Sequence, residues 1–328
     1  MLFDVGLDVL EDDIYEYNPK LLALLLKDKT TGNNILWATD DYSSIGDDYK
    51  ADCQIHISQI TGDHTTLIRP RIAKSQEEQE NRTKISAEVF TPCWVCNSQN
   101  NLIDSKWFGD KEVFNIENER GWITNTGRIA FTEKGPKTWE RYVDTKRMEI
   151  SCGEAPYLVS RYDTVTGKII PVADRIGLLD RKLRVVNENT NDEASWYKWA
   201  LRAFQSIYGY EFQGDSLLLA RENLLATFIE YYQDRFESNP SLKQLFTIVN
   251  VISWNIWQMD GMKYVVPNSC KSTTFEELTL FGSIFHEIPC PGCEKGLIHK
   301  HTGIYCKVFD WREKASLPFV TMMKGAQS

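Results

Sequence analysis

Apolar positions in this chain fall into short runs of two different periods, separated by polar turns. The clearest helical run is 215–232: LLLARENLLATFIEYY follows a Gly214-Asp215-Ser216 cap. WYKWALRAFQ (196–205) repeats the spacing, with Trp199 and Phe204 near one apolar face, and VCNSQNNLID (95–104) predicts a further helix. Three shorter runs predict strands: 148–151, SIYGYEF (206–212) and IVNVISWNI (248–256). Near the start, LLALLLKDKTTGNNILWATDDY (21–42) places apolar runs on both sides of a Thr-Gly-Asn-Asn turn, a hairpin signal. KSQEEQENRTK (74–84) is polar and predicts a surface connector, while 266–289 shows no period and predicts irregular structure. Strands alternating with helices predict an α/β fold with a doubly wound sheet. The expected organisation is an acidic N-terminal unit over 1–75, a central domain over 76–265 and a distinct C-terminal segment over 266–328.

Composition narrows this picture in three ways. The longest aliphatic run, Leu21–Leu26, is far too short to span a bilayer, and MLFDVGLDVLEDD lacks the basic region of a signal peptide. A cytoplasmic protein with no membrane partner is therefore expected. Eight cysteines in 328 residues do not make a disulfide scaffold; in a reducing compartment they are core residues, metal ligands or reactive thiols. The net charge of −9 is carried by residues 1–63, with thirteen acids and four bases, so the rest is neutral overall. Six bases and three acids follow from Cys290 onward, which leaves room for a DNA partner there.

The candidate chemistry begins at EISCGEAPYL (149–158). A glycine-bearing turn after the first strand of a doubly wound sheet lets the backbone approach a ligand. Glu149 and Glu154 in that turn repel a pyrophosphate and suit an ammonium or sulfonium centre. Glu211 closes the next strand, where an acid can grip both hydroxyls of a ribose. Asp260 ends NIWQMDG, at the upper edge of the third strand, where it could accept from an adenine amine.

Taken in order, these stretches resemble the adenine-specific DNA methyltransferases of type II restriction–modification systems. Ala87-Glu88-Val89-Phe90-Thr91-Pro92 is similar to the FTP signature that precedes the first strand in that family. EISCGEAPYL resembles its motif I, IYGYEFQGDSLLLARENLL its motif II and NIWQMDG its motif III, over roughly residues 80–262. The resemblance implies a Rossmann-like methyltransferase sheet and S-adenosylmethionine as cofactor. It implies that Thr91 and Pro92 line the cofactor, that Glu149, Cys152 and Gly153 meet its methionine part, that Glu211 binds the ribose and that Asp260 binds the adenine. Glu149 stands where the family has aspartate, and Ala155 stands where it has glycine. The family's NPPY-type loop, which holds the flipped adenine, has no counterpart, since the chain contains no Pro-Pro pair. No catalytic residue is therefore assigned. The chain reads as the cofactor-binding part of a split or truncated enzyme, with DNA and a second chain as partners. The alternative is a non-catalytic DNA-binding or assembly subunit that keeps the fold.

A second signal lies near the C-terminus. Cys290-Pro-Gly-Cys293 is a CxxC knuckle, and His301 and Cys306 follow at spacings that complete a Cys3His structural zinc site. His299 is the alternative histidine. Lys295, Lys300, Lys307 and Arg312 surround the site and suit phosphate contacts. Cys93 and Cys96 share one face of a predicted helix and read as buried core thiols, and His286 reads as a surface or packing residue.

Overall fold

The computed structural model describes residues 2, 5–75, 91–279 and 282–323. Two short helices come first, α1 (Glu11–Tyr17) and α2 (Pro19–Leu25). The Asn18 side chain accepts from the Lys20 N–H at 3.0 Å and Pro19 occupies the first turn, so LLALLL folds as a helix. The turn beyond it still closes a single antiparallel bridge, Lys27 to Asn34, in place of the expected two-stranded hairpin.

Helix α3 (Cys93–Phe108) buries both of its cysteines, as expected. A small antiparallel pair follows, β1 (Asn115–Asn118) with β2 (Gly121–Thr124), and then helix α4 (Trp139–Asp144). The central unit is β3 (Arg147–Ile150), helices α5 (Leu178–Asn189) and α6 (Glu193–Gln205), β4 (Ile207–Glu211), helices α7 (Gly214–Phe236) and α8 (Leu242–Asn255), and β5 (Ile256–Gln258). These three strands form one parallel sheet in the order β3-β4-β5. IVNVISWNI is thus mostly the end of a helix. Its start is set by Ser241, which accepts from the Gln244 N–H while Gln244 accepts from the Ser241 N–H.

One hydrophobic core fills the helical face of this sheet. It joins Leu183, Phe204, Leu218 and Ile256 to Ile14, Leu22, Ile35 and Trp37 from the first 75 residues. The N-terminal stretch is therefore packed into the central body. Arg221, fully buried on α7, donates to the carbonyls of Leu25 and Lys27 on one side and Ile256 on the other. Gly214 permits the closest approach, since a Cβ there would lie 1.9 Å from the Leu36 carbonyl oxygen.

A second core covers the other face, where Tyr208, Tyr210 and Trp257 meet Val266, Cys306, Val308 and Phe319. The segment after β5 supplies it. A hairpin of β6 (Thr273–Thr279) and β7 (Gly282–Ile288) leads to the short helix α9 (Pro291–Lys295) and a last pair, β8 (Lys307–Asp310) and β9 (Ala315–Pro318). Residues 266–289 are thus not irregular but largely a hairpin. The connector residues 76–84 and Ala87–Phe90 of the FTP-like signature lie outside the described residues. No helix among those described is long and apolar enough to cross a membrane.

Candidate functional site

The chain leaves β3 through a tight turn in which Ser151, Gly153 and Ala155 have φ of 47°, 51° and 64°. Glycine adopts this left-handed backbone freely, whereas other residues lose about 1–2 kcal/mol each. Ser151 and Ala155 therefore hold strain that their surroundings must impose. The Cys152 N–H donates to the Tyr210 carbonyl at 2.9 Å, and the Ala155 N–H to the Cys152 carbonyl at 2.7 Å. The Gly153 N–H donates to the Glu211 carboxylate at 2.8 Å. Glu149 accepts from the N–H groups of Tyr157 and Leu158 at 3.4 and 3.2 Å. Glu154 accepts from the Arg71 N–H and the Tyr162 hydroxyl, both at 2.7 Å.

Glu149, within β3, and Glu211, the last residue of β4, are buried near the carboxyl end of the sheet, close enough for the Glu211 charge to act on Glu149. Burial pushes Glu149 well above the usual carboxylate range, and the Glu211 charge adds to this against the two N–H donors. Burial also raises Glu211, opposed by the N–H groups of Gly153, Gln213 and Phe212. Two buried carboxylates within electrostatic reach of each other favour protonation or a nearby cation. Burial raises the Cys152 thiol too, and its sulfur would lie 3.3 Å from a Cβ built on Gly209 of β4. Cys152 is thus a packed apolar neighbour and not a nucleophile.

Thr91 joins the same cluster. Its carbonyl accepts from the Thr164 hydroxyl at 3.0 Å, and its side chain hydrogen-bonds the hydroxyl of Tyr157, the residue whose N–H faces Glu149. Pro92 follows as the cap of α3. The structure therefore brings Glu149, Cys152, Gly153 and Glu211 to one end of β3 and β4, with Thr91 linked to them through Tyr157, whereas Pro92 lines a separate groove beside Trp94. Asp260 is placed differently. It accepts from the N–H groups of Met262 and Lys263 and pairs with the Lys263 ammonium at 3.1 Å. No described hydrogen bond or ion pair joins it to Glu149 or Glu211. Lys263 in turn feels the Cys270 and Cys293 thiols, so Asp260 looks toward the cysteine cluster.

That cluster is Cys270, Cys290, Cys293 and His301, whose ligand atoms all lie within 4.8 Å of one another. The three Sγ atoms are 3.6, 3.7 and 3.6 Å from His301 Nδ1. Tetrahedral zinc, with Zn–S of about 2.3 Å and Zn–N of about 2.0–2.1 Å, has S···N edges of about 3.6 Å. The four residues could hold such an ion. His301 lies over Gly292, where a Cβ would meet Nδ1 at 2.5 Å, so the Pro-Gly of the knuckle is a steric requirement as well as a turn. The Thr302 N–H donates to Cys290 Sγ at 3.2 Å, and the His301 N–H donates to the Tyr305 hydroxyl at 2.9 Å. Desolvation raises the Cys290 thiol, but hydrogen bonds from Thr302, Cys293 and His301 outweigh it and bring it down to about 5.

The third thiol is Cys270, and this corrects the expectation of Cys306. Cys306 is buried in the second core, where its thiol faces the Gln258 carbonyl at 3.2 Å. Cys270 is delivered by pairing between strand-like segments far apart in the chain. Val265 bridges Tyr305, the Val266 N–H donates to the Ile304 carbonyl, and Gly303 lies against Ser269 and Cys270. His301, not His299, turns inward.

Fold and sites together define a mixed α/β protein with a buried carboxylate pair at the end of a three-stranded parallel sheet and a Cys3His cluster able to take a metal ion. No family model, no curated protein and no solved structure matches the chain.

Proposed function

We propose that this chain is the S-adenosylmethionine-binding part of a DNA adenine methyltransferase of a restriction–modification system, and that its Cys3His cluster holds a structural zinc ion. The observation that carries the reading is Glu211 held on the Gly153 N–H, with the buried Glu149 in its electrostatic reach. A sulfonium-bearing amino acid supplies the positive charge that two buried carboxylates within reach of each other favour, and a ribose supplies hydroxyl donors for Glu211. Charge-assisted hydrogen bonds of this kind contribute about 1.5–3 kcal/mol each. Glu211 accepts from the N–H groups of Gly153, Phe212 and Gln213, so a ribose hydroxyl would replace one of these donors.

The sheet order supports a second polypeptide. β5-β4-β3 is the 3-2-1 half of the doubly wound order 3-2-1-4-5-6. The next position, beside β3, pairs with no strand among the described residues. Met148 and Ile150, on the sheet face shared with Tyr208 and Tyr210, are 45% and 65% exposed. A partner chain carrying the remaining strands and an NPPY-type loop completes both the sheet and the chemistry. Calorimetric titration of S-adenosylmethionine into zinc-loaded protein tests the binding step. Saturable heat supports the reading, and none from well-folded protein refutes it.

A further inference from the structure

A second group of buried acids, which the carboxylate site does not use, lies under the N-terminal segment. Glu11 of α1 and Glu222 of α7 are each 2% exposed. Among the described residues neither carboxylate oxygen of Glu222 meets a hydrogen-bond donor, and neither does Oε1 of Glu11. Asp8, half-buried three residues before Glu11, is within electrostatic reach of both. An ionised carboxylate taken out of water without a donor is costly, and such a group keeps a proton instead.

The surrounding charges do not reverse this. Arg161 favours ionisation of Asp8 and Glu222, and Arg69 and Lys74 favour that of Asp8. Arg161 is already paired with Glu230 at 3.0 Å, and Lys74 lies 3.9 Å from Asp215. The hydrogen bonds that favour the charged forms are the Val9 N–H on Asp8 and the Glu11 N–H on its own side chain. Asp12, which accepts from the Gly62 N–H, loads Glu11 further. Burial outweighs the opposing groups. It carries Asp8 up to about 6 and Glu11 and Glu222 well above the usual carboxylate range, and the acids raise one another.

The same segment is tied to the turn after β3. Arg161, buried, donates to the carbonyls of Val5 and Gly6 at 2.5 Å each and to Asn223 Oδ1 at 3.0 Å. Asn223 follows Glu222 on α7, and its amide donates to the Glu154 carbonyl at 3.2 Å. Glu154 stands between Gly153 and Ala155, both in the left-handed region. A continuous run of hydrogen bonds therefore joins the N-terminal segment, through Arg161 and Asn223, to the strained turn.

We propose that Asp8, Glu11 and Glu222 form a proton-dependent latch, which holds the segment 5–17 against α7 and thereby braces the turn at Glu154. Each acid holds its proton more tightly in the docked state than in the released one. The latch is therefore fully closed below the ordinary carboxyl value of about 4.3 and opens as pH rises past the raised values, the first of them Asp8 at about 6. The proposal stands whether or not the turn takes S-adenosylmethionine.

The test is hydrogen–deuterium exchange on the full-length, zinc-loaded protein at pH 5.5 and pH 8.5, with each rate divided by the intrinsic rate of an unfolded peptide at that pH. Protection over 5–17 and at the Cys152 and Ala155 amides is expected to fall at least tenfold between the two, while α8 keeps its protection. In Glu222→Gln, and separately in Glu11→Gln, each uncharged at both pH values, most of that fall is expected to vanish. Infrared spectra of the unsubstituted protein do not depend on either variant folding. They are expected to show the carbonyl band of buried protonated carboxylic acids at pH 5.5, declining as the segment loses protection. Equal protection of 5–17 at both pH values, an undiminished fall in folded variants, a matching loss across α8, or the lack of a protonated-acid band overturns the proposal.

Discussion

The carboxylate site and the cysteine cluster are built in opposite ways. Glu149, Gly153 and Glu211 are held by a parallel sheet whose strands lie far apart in sequence, and a large core stands behind them. The cysteine cluster has little core of its own. Cys270 and Cys290 stand at the root of the β6–β7 hairpin, whose Phe275, Ile284, Phe285 and Ile288 are all exposed. A two-stranded hairpin without a covered face is marginal in water. At one site packing imposes strain on a turn and desolvation on two acids. At the other, a few hydrogen bonds gather the ligand atoms, and an ion bound there would supply the stability that packing does not. The fold alone shapes the first region, and a bound metal would complete the second.

The largest test of that contrast is metal removal, because structural zinc contributes about 10–16 kcal/mol in isolated zinc-finger peptides. Cys270→Ser is expected to reduce bound zinc from one equivalent to none, whereas Cys306→Ser keeps it, as read by elemental analysis. Amide exchange across 264–306 then accelerates while α7 stays protected. If the core of α7 opens together with the knuckle, the two regions are not independent.

Next in size is Glu211→Gln. Removing one charge-assisted partner is expected to weaken S-adenosylmethionine about tenfold to a hundredfold, measured by calorimetry, with the fold intact. Zinc content is unaffected, since Glu211 touches no member of the cluster.

The two regions also respond to pH with opposite sign. Burial raises Glu149, Glu211 and Glu222 in the folded state, so the fold holds protons more tightly than the unfolded chain. Their favourable contribution is fully present below the ordinary carboxyl value of about 4.3 and is lost as pH rises toward the raised folded values. Zinc binding strengthens over the same range, because thiols must deprotonate to ligate. Zinc-free protein is therefore expected to melt at lower temperature at pH 8 than at pH 5. In zinc-loaded protein the exchange protection of 264–306 rises over that interval. A melting temperature of the zinc-free protein that climbs with pH contradicts the assignment of buried, proton-holding acids.

The smallest effect concerns backbone strain. Ser151 is exposed at φ 47°, so Ser151→Gly relieves left-handed strain at little packing loss. Relief of about 1–2 kcal/mol, less the 0.5–1 kcal/mol that glycine's freedom costs, leaves about 0.5–1 kcal/mol of stabilisation. A shifted denaturation midpoint at constant slope reports it.

How much of this the sequence disclosed depends on range. The strands carrying Glu149 and Glu211 were legible because each is a short run with apolar residues that stops at a turn. The helix α7 was legible from its cap and long periodic body. IVNVISWNI misled because Ile248, Val249, Val251 and Ile252 are buried all round, and a continuous apolar run has no period to betray a helix. The overlooked signal was the Ser241–Gln244 capping box, and for LLALLL it was Asn18-Pro19. The knuckle was half legible. CxxC and His301 are local, but choosing Cys270 over Cys306 required the pairing of 264–270 with 302–306, which no spacing rule encodes. Nothing in the sequence separates Trp94, 38% exposed, from the buried Trp37 and Trp196. Only the tertiary arrangement distinguishes an indole facing solvent from one facing leucine.

The central claim is that Glu149 and Glu211 form a ready cation and ribose site, and calorimetry of S-adenosylmethionine binding to the zinc-loaded wild type and Glu211→Gln tests it most directly. The account predicts single-site saturable heat in the wild type and at least tenfold weaker binding in the variant. Equal affinity in both proteins, or no heat from a folded wild type, contradicts it.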